Sequence, residues 1–278
     1  MSLFNTLATI IWKMTPNRSI REKYFSVYCW LVRGKKRIVQ IDGVYFSLDL
    51  GQTIDVAVSL GRFEPELVAA IHTHTKPGDT ILDIGANTGV HAMVFAKCAV
   101  HGKVFAFEPT DYAFIRLKNN IQLNKGLNVE PIQLALSDRN ADSEAVDFRS
   151  SWRTDGIVDH KMDYVSFRRL DDWMTETGLQ SLNIIKLDVD GFEYPVLHGS
   201  PQTLSKFRPI IFMEIGLYHF DVVDKNPVTL LGDIGYSFWD AKSKVLISPS
   251  EIRQRLMMPE MSGITINVIA SPIEGFIP

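Results

Sequence analysis

The chain has 278 residues, 46% hydrophobic and 22% charged, the balance of an ordinary globular protein with a sizeable core. A net charge of −3 argues against general nucleic-acid binding, and two isolated cysteines, Cys29 and Cys98, make neither a disulfide framework nor a metal knuckle. The apolar run Leu3 to Trp12 is too short to span a bilayer and lacks the marks of a secretory signal, so a reducing, cytoplasmic location is expected.

Residues 3–14 and 19–33 read as helices. Residues 1–40 carry eight basic side chains against one acid, Glu22, which leaves the rest of the chain acidic. Basic residues around an apolar face with Trp12 suit a peripheral contact with an anionic membrane, or packing on the protein body or a second subunit in a homodimer. Arg37–Asp49 alternates about Asp42-Gly43, a hairpin signal. A helix over 64–75 leads through Pro77-Gly78-Asp79 into the first central strand. Strand 80–84 then precedes helix 88–99, strand 103–108 precedes helix 111–124, and strand 129–134 precedes a loop over 135–140. Asp111 stands where it would cap the second of these helices, and Gly126 lies just beyond its end. Residues 141–168 form a polar excursion with strands of its own and Trp152, placed where a substrate-shaping lid would sit. Helix 169–177, strand 183–188, helix 192–206 and strand 209–215 restore the rhythm. Short strands at 235–240, 244–248 and 264–270 complete one edge of the sheet. Such alternation predicts an α/β fold with a mostly parallel sheet covered on both faces. The chain divides into residues 1–61, helices and a β-hairpin, and residues 62–278, the main domain.

The chemistry concentrates at the ends of these strands. Thr80–Gly89 runs from an apolar strand ending near Asp83, through a glycine turn, into a helix, the arrangement that places ligands at the carboxyl edge of an α/β sheet. Gly85 and Gly89 let a ligand approach the backbone, and the free N–H groups at the helix start attract an anionic group. A dinucleotide loop carries three closely spaced glycines for a pyrophosphate. Here Gly85 and Gly89 flank Asn87 behind an acid, which favours S-adenosylmethionine, whose ammonium an aspartate can help to hold. Glu108 ends the second strand and suits the two ribose hydroxyls of an adenosine. Ser137-Asp138 follows the third strand, where it either accepts from the adenine amino group or makes an ordinary turn.

Lys186–Glu193 is the second concentration. Asp188, Asp190 and Glu193 fall at the ligand edge together with Glu214 and His219. One of these groups can act as general base toward a hydroxyl, or Asp188, Asp190 and Glu214 can hold a divalent cation such as Mg2+ that acidifies it. Lys186, in mid-strand, is expected to pair with one of the carboxylates.

Taken together, Leu82–Gly89, Phe107-Glu108-Pro109, Asn119–Asn124, Ala135–Asp138, Ile185–Glu193, Val196–Gly199 and Arg208–Ile215 resemble the FkbM-type methyltransferases over about residues 62–216. The resemblance implies a seven-stranded, Rossmann-like methyltransferase sheet whose last strand runs antiparallel. It also implies O-methylation of a hydroxyl on a sugar, a glycan or a glycosylated natural product. By position, Asp83, Gly85, Asn87 and Gly89 would hold the methionine end, Glu108 the ribose and Asp138 the adenine, with Asp188–Glu193 beside the methyl-transfer site. Asp190 departs from the Glu that family members often carry there. The competing readings are a nicotinamide-dependent dehydrogenase and a cofactor-binding protein without catalysis. Methylation of amide or base nitrogen is disfavoured, because Asp188-Val189-Asp190-Gly191 replaces the Asn/Asp-Pro-Pro-aromatic loop.

Overall fold

The computed structural model of the protein describes residues 18–147, 154, 162–258, 265–273, 276 and 278. The expected helix over 3–14 and the lid residue Trp152 lie outside them.

A helix, Arg18–Val32, leads into a hairpin of β1 (Lys36–Ile41) and β2 (Val44–Asp49). Asp42 and Gly43 both take positive φ, 50° and 79°, as a two-residue turn with the right twist for a hairpin requires. Val44, Phe46 and Leu48 point inward along β2, and the strand is tied down by side chains of a later helix. Asn120 Oδ1 accepts from the Ser47 amide and Asn124 Oδ1 from the Tyr45 amide, each at 2.8 Å. A short helix, Thr53–Ser59, and a longer one, Pro65–His74, complete the approach to the sheet.

The central sheet begins with β3 (Thr80–Ile84), β4 (Lys103–Phe107) and β5 (Val129–Ile132), joined by helices Val90–Cys98 and Asp111–Leu123. A separate three-stranded sheet follows, made of β6 (Ala135–Ser137), β7 (Ala141–Val146) and β8 (Asp163–Arg169). The chain then returns through helix Leu170–Thr177 to β9 (Ile184–Leu187) and, after two helices, to β10 (Ile210–Ile215). Helix Pro227–Asp233 precedes β11 (Ser237–Asp240), and helix Pro249–Leu256 precedes β12 (Ile266–Ser271). The seven strands stand in the order β11-β12-β10-β9-β3-β4-β5. β5, β4, β3, β9 and β10 run parallel, and β12 lies antiparallel to both its neighbours. The architecture is therefore α/β with a mixed central sheet.

Each face of that sheet has its own core. Leu82, Ile84, Ile185, Leu187 and Ile211 point to one face and pack with the helices around Trp173, Leu197 and Leu231. Ile81, Ile184 and Phe212 point to the other, where they join Phe95, Phe46 and Tyr28. The amino-terminal helix and hairpin thus share a core with the sheet.

Several boundaries differ from the sequence reading, each for a local reason. The expected loop over 135–140 contains β6, which pairs with β8. The expected helix 192–206 is two helices, Glu193–His198 and Pro201–Phe207. Pro201 lacks an N–H and suits a first helical turn. At the break, a Cβ on Gly199 would stand 2.0 Å from the Ser137 carbonyl oxygen. Residues 244–248 make a single bridge, Trp239 to Leu246, in place of a strand. Beyond them Ser248 opens an unanticipated helix through a capping box, its amide donating to Glu251 Oε2 at 2.7 Å. The strands expected near 235–240 and 264–270 do complete one edge of the sheet, with β11 outermost and β12 inside it. At helix 111–123 the capping position belongs to Thr110, while Asp111 Oδ1 accepts from Gln133 Nε2 at 2.7 Å.

Candidate active site

The parallel register decides which side chains meet. Asp83 on β3 stands opposite Lys186 on β9, and Leu187 opposite Met213 on β10, one step before Asp188 and Glu214. Glu214 in turn faces Asn267 on β12. Side chains alternate along a strand, so Asp83, Lys186, Glu214 and Asn267 emerge on one face at the carboxyl edge. They form a polar row crossing four strands.

Lys186 is the hub of this row. Its Nζ lies 2.8 Å from Asp188 Oδ2 and 3.6 Å from Asp83 Oδ1, and donates to the Gly85 carbonyl at 3.3 Å. Burial works against the ammonium, but Asp188, Asp83 and Glu64 outweigh it and hold Lys186 above the usual lysine range. The expected pairing of Lys186 with carboxylates is what makes a buried ammonium tolerable. Asp83 is fully buried, and neither of its carboxylate oxygens has a hydrogen-bond partner. Burial pushes its carboxyl up, with Lys186 pulling it back.

A cavity of about 640 Å³ opens above this edge. Gly85, Asn87, Glu108 and the segment Leu134–Leu136 line it, together with Phe63, Glu64, His91, Asp188, Asp190 and Glu214. Glu108 ties the glycine turn to the next strand. Its Oε2 accepts from the Asn87 amide at 3.0 Å, while Oε1 accepts from the Thr110 amide at 3.0 Å and the Thr110 hydroxyl at 2.5 Å. Burial raises its carboxyl, and these donors moderate the rise. Gly85 and Gly89 have φ of 81° and 85°, and Asn87 between them has 49°. A Cβ on Gly85 would fall 1.8 Å from the Asp188 carbonyl oxygen, so the two ligand loops touch backbone to backbone. The glycine turn and the buried Glu108 carboxylate on this lining are chemically suited to the amino-acid tail and hydroxyls of an adenosine-type cofactor.

Some candidates lie elsewhere. Asp83 does not line the cavity and faces Lys186 beneath it. Ser137 and Asp138 stand just past the lining residues Leu134–Leu136, with Asp138 Oδ2 3.8 Å from His198 Nδ1. Glu193 and His219 are buried under the 188–192 turn, also outside the lining. Glu193 accepts from the Val189 and Gly191 amides, both at 2.9 Å, and its Oε2 lies 2.6 Å from His219 Nε2. The pair braces the turn that carries Asp188 and Asp190. In Glu193→Gln one backbone N–H would face an NH2 group, a mismatch of roughly 2 kcal/mol that urea unfolding measures. Unchanged stability would count against the brace.

The expected cation site at Asp188, Asp190 and Glu214 is not met by the donor set. Lys186 already stands against Asp188, and among the described residues no three His, Cys, Asp or Glu side chains are disposed to hold a metal ion. Glu214 instead accepts from the Thr265 hydroxyl. Burial, with Asp188 adding to it, pushes the Glu214 carboxyl up to about 7.

Glu64, Thr265 and Asn267 carry no site signal in the sequence, whereas His91 falls near the carboxyl edge, early in the helix after the glycine turn. Glu64 precedes Pro65 and looks like a helix-capping acid, and nothing local says that Asn267 will meet it.

Sheet order, glycine turn and carboxyl-edge cavity define an α/β protein built for a nucleoside-type cofactor. Residues 83–245 match the methyltransferase FkbM domain, and the chain belongs to that family. It is 34% identical over 155 residues to the 2-O-methyltransferase NoeI of Sinorhizobium fredii, covering 48% of this chain and 62% of that protein. It is 29% identical over 179 residues to the hexuronic acid methyltransferase AglP of Haloferax volcanii, covering 62% of this chain and 69% of that one. A crystal structure of an FkbM methyltransferase from Methylobacillus flagellatus is 14% identical, with a TM-score of 0.47, covering 78% of this chain and 54% of that chain. The chain therefore spans about two thirds or less of the length of these relatives.

Proposed function

We propose that the protein transfers a methyl group from S-adenosylmethionine to a hydroxyl of a sugar, a glycan or a glycosylated product. The observation that carries this reading is the carboxyl-edge cavity, lined by Gly85, Asn87 and Glu108 and by the carboxylates Glu64, Asp188, Asp190 and Glu214. The names of the two sequence relatives, NoeI and AglP, agree with it.

The Gly85–Gly89 turn receives the methionine end, Glu108 the ribose and Leu134–Leu136 the adenine. When bound, S-adenosylmethionine supplies an electrophilic methyl group on a sulfonium. The chain's own work is to align a hydroxyl and remove its proton. We assign proton removal to Glu214, whose raised carboxyl is poised near neutrality. Asp188, fixed by Lys186, orients the hydroxyl, and Asp83 acts through Lys186. Residues 1–61 are assigned to acceptor or subunit contact, with Trp30 exposed on helix Arg18–Val32. A peripheral membrane contact through the same basic segment is the variant of this assignment that vesicle sedimentation tests. Among the described residues no helix is long and apolar enough to cross a membrane. A reducing, cytoplasmic setting suits the free thiols of Cys29 and Cys98.

Calorimetric titration separates this reading from a dehydrogenase: S-adenosylhomocysteine binds and NADH does not. Asp188→Asn is expected to bind S-adenosylhomocysteine normally while slowing methyl transfer about a hundredfold. Tight NADH binding, or an Asp188→Asn protein as active as the parent, overturns the respective assignment.

A further inference from the structure

Glu64 lies outside the matched stretch 83–245, yet its side chain lines the cavity beside Asp188 and Glu214. It occupies the capping position of helix Pro65–His74 but makes no capping bond to it. Its backbone is left-handed, with φ 40° and ψ 58°, a conformation costly for a residue with a Cβ and one that collects at functional sites. Glu64 Oε1 instead accepts from Asn267 Nδ2 at 3.2 Å, from a strand 203 residues away.

Glu64 Oε2 lies 3.3 Å from His91 Nε2, without the alignment of a hydrogen bond. His91 is only 3% exposed, stacked on Phe63 with ring centroids 5.1 Å apart. Burial, reinforced by Lys186, keeps its imidazole neutral, and burial raises the Glu64 carboxyl. Both Glu64 Oε2 and His91 Nε2 are buried atoms with no hydrogen-bond partner, on residues that line the cavity. Buried polar atoms in folded proteins are nearly always paired, so two adjacent exceptions at a cavity wall call for a ligand's polar group.

We propose that Glu64 and His91 form the acceptor subsite, that it takes the hydroxyl groups of an uncharged sugar, and that it rejects a sugar carboxylate. This rests on the sugar-methylating reading above and names its substrate class. A hydroxyl can donate to Glu64 and exchange a second hydrogen bond with the neutral imidazole. The carboxylate of a uronate, set in that place, has no donor to offer and meets Glu64, Asp188 and Glu214 on the same wall. Lys186, the cation among the described lining residues of that wall, is 3% exposed and already engaged by Asp188, Asp83 and the Gly85 carbonyl.

The test uses the full chain saturated with S-adenosylhomocysteine and pairs of methyl hexopyranosides and methyl hexuronosides of gluco, galacto and manno configuration. Binding is read by saturation-transfer NMR and competition. At least one neutral glycoside is expected to bind about tenfold tighter than its uronate partner. Glu64→Gln and His91→Phe each weaken that binding about tenfold, while S-adenosylhomocysteine affinity stays within about twofold and so also reports correct folding. Equal or tighter binding of the uronates, or binding of neither class, overturns the proposal. So do variants that lose S-adenosylhomocysteine and keep the sugar. If a variant does not fold, the wild-type comparison decides alone. Failure of the wild-type chain to bind S-adenosylhomocysteine overturns the parent reading, and this one falls with it.

Discussion

Gly85→Ala is expected to abolish cofactor binding and to destabilise the fold. The residue has φ 81°, in a region that costs an alanine about 1 kcal/mol. The larger cost is steric, because the new Cβ would fall 1.8 Å from the Asp188 carbonyl oxygen. Backbone cannot rotate aside as a side chain can, so the 85–89 turn and the 188–192 turn must separate. That separation moves Asp188 relative to Lys186 and opens the crevice floor. A loss of roughly 3–5 kcal/mol and at least about a hundredfold in S-adenosylhomocysteine affinity is expected. Gly61→Ala is the control: φ is 65° with nothing within 4 Å of the new Cβ, so about 1 kcal/mol is lost. Urea unfolding and calorimetry on both variants read the difference. Wild-type affinity in Gly85→Ala would show that the two loops do not meet as described.

Glu214→Gln is expected to trade activity for stability. Burial first, and Asp188 second, raise this carboxyl from 4.5 to about 7, so the fold favours its neutral form. The stabilisation from that protonated form is complete below about pH 4.5 and is lost as pH rises through about 7. Gln keeps an oxygen to accept from Thr265 and never ionises. The variant should match the parent near pH 4.5 and exceed it by about 3 kcal/mol near pH 8. Proton removal needs the opposite form, the carboxylate. Parental turnover should therefore climb with pH through about 7, and the variant should be slower by about a thousandfold. Thermal melts at both pH values, with pH–rate profiles, test the two halves separately. A stability difference independent of pH would remove Glu214 as the titrating group, and unimpaired turnover would remove it as the base.

The sheet was legible because its strands are short apolar runs bounded by turn residues, and the buried segment Thr80–Ile84 occupies the predicted span. Local punctuation was less visible. Pro201 and the Ser248–Glu251 capping box shape their helices through contacts that periodicity does not register. The strand that ends on Glu214 was readable, whereas the neighbour that completes the wall was not. Asn267 reaches Glu64 only because β12 inserts between β10 and β11, a pairing that no local pattern encodes. Glu193 illustrates the same difficulty from the other side. Its sequence position resembles that of Asp188 and Asp190, but the first turn of its helix directs the carboxylate to backbone amides.

The placement of β12 also orders events in time. It is the last strand of the sheet to leave the ribosome; it carries Asn267, and Thr265 stands just before it. A nascent chain halted before residue 265 already has the glycine turn, Glu108 and Lys186, but nothing to steady Glu214 and Glu64. Translation must therefore deliver the closing strand before Glu214 and Glu64 gain the hydroxyl and amide donors that hold them.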